Sequence, residues 1–330
     1  MDNIGKIYTD YRLGGVPRYY LGKPDDWDMK VIAEILKCTV FMGCQNGENF
    51  TPYGTGFFVG VPYKNSVSWQ HDYLVTAKHL IDKDKAGCNS FRVNTRDGVS
   101  KSVFISKSQR WYDHPTEVAD VYVTPIDVED DWDMLVLPAG MIASKDIIGN
   151  DAWITTGSDV FITGFFEEFN HGLKNYPIVR KGSIAMLPKE RIYSEGIGEI
   201  ESYLIESRSR GGLSGSPVFW YASSDDLDMK KVYEKKGALV PSGIKPVIRQ
   251  NYWGLLGLIQ GHFDVKDKDK EDSDPEYDSE LSYKKGVINA GIASVTPSIK
   301  IEDILNIPEL VKQREEAEEE YRQRKGTTPD

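Results

Sequence analysis

Arg210-Gly211-Gly212-Leu213-Ser214-Gly215-Ser216-Pro217-Val218-Phe219 is the stretch on which the reading of this chain turns. Glycines flank a small hydroxyl residue just before an apolar run, so side-chain bulk is least where the backbone must turn sharply. Such a turn can hold a nucleophile forward with free amides beside it. The same residues also make an ordinary Gly/Ser/Pro turn ahead of a strand. The choice between the two depends on what stands upstream.

Strand signals recur at short intervals on both sides of the turn. Residues 38–42 (CTVFM) are mostly β-branched or aromatic, 54–61 (GTGFFVGV) is an apolar run opened by glycines, and 73–77 (YLVTA) follows. Further candidates stand at 91–93, 102–105, 121–126, 134–137, 160–163, 178–179 with 182–186, 202–205, 217–221 and 252–260. Residues 222–250 form a polar insertion, and 286–295 regains strand character. Many short strands between turn signals, with few helical periods, predict an all-β sandwich or barrel. The βαβ alternation of an α/β enzyme is absent. Helical signals are peripheral. Val31, Ile32, Ile35 and Leu36 fall at helical spacing after an aperiodic stretch, 1–27, that reads as an arm laid over a core. Near the other end, 301–324 reads as a helix interrupted at Pro308, and its last part, 315–325, offers no apolar face and is expected to fray.

Composition bounds the function classes. A chain of 330 residues with 40% hydrophobic content can bury the core of one large domain or two modest ones. The net charge of -11 would repel a phosphate backbone, and no basic cluster with interleaved aromatics offsets it, which argues against a nucleic-acid partner. No apolar run approaches a membrane span and the first residues lack a signal-peptide core, so a cytoplasmic protein with no membrane partner is expected. Cys38, Cys44 and Cys88 lack metal-ligand spacing and read as reduced thiols; no metal or cofactor is called for. Residues 264–280 suggest a calcium loop only faintly, through Asp267, Asp269 and Glu271. The glycine and distal Glu of an EF-hand are missing, and a solvated charged loop is the better reading.

An acyl-transfer nucleophile needs a base with a pKa close to neutral. Of five histidines, His71 and His171 read as lying in polar loops, His114 precedes a proline and His262 follows a glycine. His79 differs, because the apolar strand 74–80 delivers it at a rim. Thr76-Ala77-Lys78-His79 resembles the TAAH element of the chymotrypsin/trypsin-like serine peptidases. Gly212-Leu213-Ser214-Gly215-Ser216-Pro217 is similar to their GDSGGP element. Gly54-Thr55-Gly56-Phe57 matches the GTGF opening common in bacterial and HtrA-like members. The resemblance covers roughly 40–295.

That resemblance implies two packed antiparallel β-barrels with a C-terminal helix. The expected division is 1–37 as arm and short helix, 38–145 as first barrel, 146–300 as second barrel and 301–330 as C-terminal helix and charged tail. It implies a serine endopeptidase acting on a protein or peptide substrate: Ser214 as nucleophile, His79 as base, and the backbone N–H groups of Gly212 and Ser214 as oxyanion hole. Two residues fit the triad acid, Asp120 and Asp133, since each leads an apolar run. Asp120 is preferred because it follows His114-Pro115, as the family's HP element precedes its Asp. Departures narrow the type. Leu213 replaces the Asp of a zymogen switch and Leu80 replaces a disulfide cysteine, as in intracellular bacterial or phage relatives; Ser216 adds a hydroxymethyl near the expected substrate edge. Counting back from Ser214 puts Arg208 near the base of the primary pocket, and Leu256-Gly257-Leu258-Ile259-Gln260-Gly261-His262 resembles the family's strand that forms its wall; Arg208 and His262 would suit an acidic substrate residue, or else are two surface groups. A competing reading is a catalytically weak peptidase fold acting as a protein-binding module. An α/β-hydrolase is excluded, because its GxSxG motif is incomplete here and its histidine should come last.

Overall fold

The computed structural model describes residues 7–10, 18–21, 35–64, 69–82, 90–149, 153–165, 174–187, 190–194, 198–207, 213–223, 251–266 and 287–325. Within the expected arm, β1 (Ile7–Asp10) and β2 (Arg18–Leu21) pair antiparallel. A first large sheet gathers β3 (Thr39–Asn46), β4 (Asn49–Pro62), β5 (Gln70–Thr76), β6 (Ser90–Asn94), β7 (Ser100–Phe104) and β8 (Tyr122–Pro125) in the order β7-β6-β3-β4-β5-β8. Of the predicted strand at 134–137, only β9 (Leu137–Pro138) pairs, parallel to β4. The second unit is a closed barrel of β10 (Asp159–Gly164), β11 (Ile178–Met186), β14 (Tyr203–Glu206), β17 (Val287–Pro297), β16 (Asn251–Lys266) and β15 (Pro217–Ser223), in that order round the wall. A small hairpin, β12 (Ile192–Ser194) and β13 (Gly198–Ile200), stands apart from it. The chain is therefore all-β with the expected C-terminal helical element, the fold class of a chymotrypsin-like protein. Its second unit closes into a barrel; the first is the seven-stranded sheet.

Strand periodicity explains why the first sheet needs both faces covered. Val40, Met42, Phe58, Leu74, Phe91 and Val93 point to one side, where Trp132 closes an apolar core. Phe57, Val59, Tyr73, Val75 and Val123 point to the other side. There they meet Phe219, Leu255 and Leu258 of the barrel and Ile301, Ile304, Leu305 and Leu310 of the C-terminal helices. A sheet buried twice reads as the continuous apolar run seen at 54–61. The barrel has its own core, which includes Val160, Ile162, Ile205, Leu213, Val218, Leu256 and Val295.

Three expectations need correction. Cys44 is disulfide-bonded, so the thiols are not all reduced; Cys38 is free and buried, and Cys88 lies outside the described residues. His71 lies within β5, not in a polar loop. The C-terminal segment forms two helices, α2 (Ile299–Leu305) and α3 (Pro308–Lys325), with Pro308 opening the second where its missing N–H costs nothing. The last part of α3 docks instead of fraying.

The docking stripe is polar, which is why hydrophobic periodicity misses it. Leu310, Arg314 and Glu318 recur every four residues and are all buried. Arg314 Nη1 donates to the Tyr73 hydroxyl at 3.0 Å, and Glu318 Oε1 lies 3.3 Å from His71 Nε2. His71 and Tyr73 are two apart on β5 and so share a face. Tyr63 stacks on His71 with ring centroids 4.3 Å apart, and Tyr321 of α3 meets Tyr63 edge-on. Burial lowers the His71 pKa, against the opposing pull of Glu318.

Between these two residues, Asp72 faces the opposite way, and burial pushes its carboxyl up to about 6. In the unfolded chain it titrates in the ordinary carboxylate range. Between those values the folded protein holds a proton the unfolded chain has shed; above about 6 both are ionised and the folded state bears the full desolvation cost. Asp72→Asn should therefore stabilise above pH about 6 and not below pH about 4. The gain is about 1 kcal/mol, reduced from the roughly 3 kcal/mol of two full pKa units because the group is partly exposed. Urea unfolding at about pH 7.5 and 4 measures it; an equal gain at both would contradict the burial argument.

Candidate active site

The site is built where strands end, and β5 ends at Thr76. The ladder with β4 and β8 stops there, at Gly56↔Thr76 and Thr76↔Tyr122. The chain then turns into a short helix, α1 (Lys78–Asp82), so His79 stands in a first helical turn and not on the strand expected from sequence. Its backbone N–H, unpaired within so short a helix, donates to Asp120 Oδ1 at 2.9 Å. Its ring Nδ1 lies 2.6 Å from Asp120 Oδ2. One carboxylate thus holds both the backbone and the imidazole of His79, with Nδ1 as donor and Nε2 left for other chemistry. Asp120 is 4% exposed. Asp133 is elsewhere: it pairs with Lys37 at 3.1 Å and its side chain is 42% exposed.

The serine turn is built by hydrogen bonds from both units. Ser216 N–H donates to Leu213 O at 2.9 Å, and Gly215 N–H donates to Ile259 O at 2.7 Å. Thr55 N–H donates to Ser214 O at 2.9 Å, which ties the turn to β4. Gly215 has φ +82, and a Cβ there would lie 2.0 Å from Thr55 O, 2.8 Å from Thr76 Oγ1 and 3.2 Å from Ala77 N. Only glycine fits, on conformation and on space. The closeness to Ala77 sets the Ser214 turn beside the segment that carries His79.

Thr55 is the residue that sequence reading passed over, although it lies inside the quoted GTGF element. It is fully buried. Its carbonyl accepts the Thr76 hydroxyl at 2.8 Å, and its own Oγ1 accepts the Phe165 N–H at 3.0 Å. With the bond to Ser214 O, it joins the end of the histidine strand, the serine turn and the end of β10. Gly54 acts differently, through the space it leaves. A Cβ there would lie 2.4 Å from Leu80 Cδ1, so glycine makes room for the leucine behind His79.

The Ser214 hydroxyl donates to the Gln260 carbonyl at 3.4 Å, a long bond, and makes no hydrogen bond to His79 among the described residues. The Ser214 N–H has no acceptor among the described residues either. Gly212, the other expected oxyanion donor, and Arg208 lie outside the described residues. His262 is exposed on β16, opposite Ala293. Leu213 is part of the barrel core. Ser216 does not reach a substrate edge: it is fully buried, its Oγ has no hydrogen-bond partner among the described residues, and Gly164 makes room for it, since a Cβ there would sit 1.9 Å from that oxygen. Among the described residues no group of three or more His, Cys, Asp or Glu is placed to hold a metal ion.

Comparison with known proteins gives a likeness of shape only. No protein-family model and no curated sequence matches the chain. Among solved structures it is similar to the MamO protease domain from Magnetospirillum magneticum, at 13% identity and TM-score 0.46, covering 84% of this chain and 100% of that one. It is also similar to Rv3671c from M. tuberculosis H37Rv, at 14% identity and TM-score 0.40, covering 87% and 96%. Human heparin binding protein aligns at 12% identity and TM-score 0.39, covering 87% and 95%.

Proposed function

We propose that this chain is a serine endopeptidase in which Ser214, His79 and Asp120 act as a triad. The observation that carries the reading is the double hold of Asp120 on His79, through the backbone N–H at 2.9 Å and ring Nδ1 at 2.6 Å. A carboxylate that merely capped a helix would need only the first contact. Holding Nδ1 as the protonated nitrogen leaves Nε2 as the base.

In the reaction, Ser214 Oγ adds to the peptide carbonyl as its proton passes to His79 Nε2. The tetrahedral intermediate collapses when that proton goes to the leaving amine, giving an acyl-enzyme. Water, deprotonated by the same imidazole, then releases the acid and returns the proton to Ser214. Asp120 stays ionised throughout and stabilises the imidazolium. The Ser214 N–H is proposed as one oxyanion donor and Gly212 as the second. Arg208 and His262 are the proposed substrate-side groups, with an acidic residue before the scissile bond.

Digestion of a peptide library, read by mass spectrometry, tests the proposal. Cleavage should be lost in Ser214→Ala, and cuts should follow acidic residues if Arg208 and His262 face the substrate. Cuts dominated by basic or aliphatic residues would remove that preference. One observation favours the second reading, a binding module: the Ser214 hydroxyl is bonded to Gln260 O and not to His79. Folded protein that cuts nothing in the library would support it.

A further inference from the structure

We infer that Lys300 is a positioning residue for this site, a buried ammonium on α2 that clamps the loop carrying Asp120 to the second unit. This rests on the triad reading above. Lys300 is 3% exposed. Its Nζ lies 2.6 Å from Glu117 Oε2 and 2.8 Å from Glu201 Oε2, so one cation bridges two carboxylates. Glu117 stands three residues before Asp120. Glu201 precedes β14 of the barrel. The bridge therefore spans from the acid's own loop to the unit that supplies Ser214.

A second contact from the same helix fixes the same loop. His114 is buried; its Nδ1 accepts the Glu117 N–H at 3.0 Å, which leaves Nε2–H to meet Asp303 Oδ2 at 3.2 Å. Ala119, next to Asp120, packs on the core that includes Ile301, Ile304 and Leu305. The helix thus grips 114–119 by charge, hydrogen bond and apolar contact. Burial alone would lower the Lys300 pKa, but the two carboxylates more than offset it and the ammonium is held charged. A buried cation with fewer partners would be too costly to keep, which is why it can act as a clamp only while both carboxylates face it.

Catalysis depends on this because Asp120 sets His79, and a misplacement of about 1 Å at a catalytic group can cost about 10²-fold in rate. The test is Lys300→Met, which keeps the apolar stem and removes the charge. Glu117 and Glu201 can then turn to water, since their side chains are 33% and 39% exposed. Two readouts are taken on the full chain. The first is the downfield proton resonance of the His79 Nδ1–H bonded to Asp120, which needs no reactive serine. The second is the rate of labelling by a fluorophosphonate. The expected result is a shifted or broadened resonance and roughly 10–100-fold slower labelling, in protein whose far-UV spectrum is unchanged. A folded variant with the parent's resonance would overturn the clamp, whatever its labelling rate. If the parent itself does not label, the endopeptidase reading fails and the resonance still decides the role of Lys300. Should Lys300→Met not fold, Glu201→Gln weakens the same bridge from its more exposed end, and the same resonance reads it.

Discussion

Asp120→Asn should lower peptidase turnover by about 10⁴-fold while leaving the fold in place. The carboxylate accepts twice from His79, at Oδ1 from the backbone N–H and at Oδ2 from the ring. An amide offers only one acceptor. If its oxygen keeps the backbone N–H, its NH₂ faces Nδ1 and selects the tautomer with the proton on Nε2, which cannot take a proton from Ser214. If its oxygen turns to the ring, a buried N–H loses its partner. The first arrangement costs rate and the second costs stability, so both turnover and unfolding should be measured. Asp133→Asn is the control. Its pair with Lys37 is partly exposed and is worth at most about 1 kcal/mol, with no effect on turnover. Equal losses in the two variants would remove Asp120 from the triad.

Gly215→Ala should be the most damaging single methyl in the protein's active region. The residue must hold φ +82, where an alanine costs about 1–2 kcal/mol. Its Cβ would also have to displace Thr55 O from 2.0 Å, and that carbonyl is already bonded to the Thr76 hydroxyl. Backbone would have to move, since no flexible side chain is there to yield. The expected cost is about 3 kcal/mol or more, with fluorophosphonate labelling slowed by at least about 10²-fold. Gly157→Ala separates the two causes. Its φ is +91, but nothing lies within 4 Å of the added methyl, so it should cost about 1–2 kcal/mol. Denaturant unfolding of both variants checks this; equal costs would show that the contact with Thr55 is unimportant.

Particular residues show what the sequence made legible. His79 and Ser214 could be named because the short elements that resemble the peptidase motifs, 76–79 and 212–217, are contiguous in sequence. The all-β class follows from strand spacing for the same reason. The choice between Asp120 and Asp133 is not local: both precede apolar runs, and only the turn of the chain after Thr76 decides which one meets His79. The role of Gly215 is hidden for a similar reason. Sequence shows a turn glycine, but the carbonyl it must clear belongs to Thr55, far away in the chain. The α3 stripe was illegible because Arg314 and Glu318 count as solvent-facing residues until His71 and Tyr73 are seen opposite them. Cys44 misled because an odd cysteine count without metal-ligand spacing says nothing about which thiols the fold brings together.

The central claim is that the Ser214 hydroxyl is a nucleophile driven by His79. The measurement closest to it is covalent: fluorophosphonate treatment of the folded chain, proteolytic mapping of the adduct, and the same treatment of His79→Ala. One adduct is expected, on the peptide containing Ser214, with labelling of His79→Ala slower by several orders of magnitude. Folded protein without an adduct, or an adduct on Ser214 that forms as fast without His79, would contradict the claim.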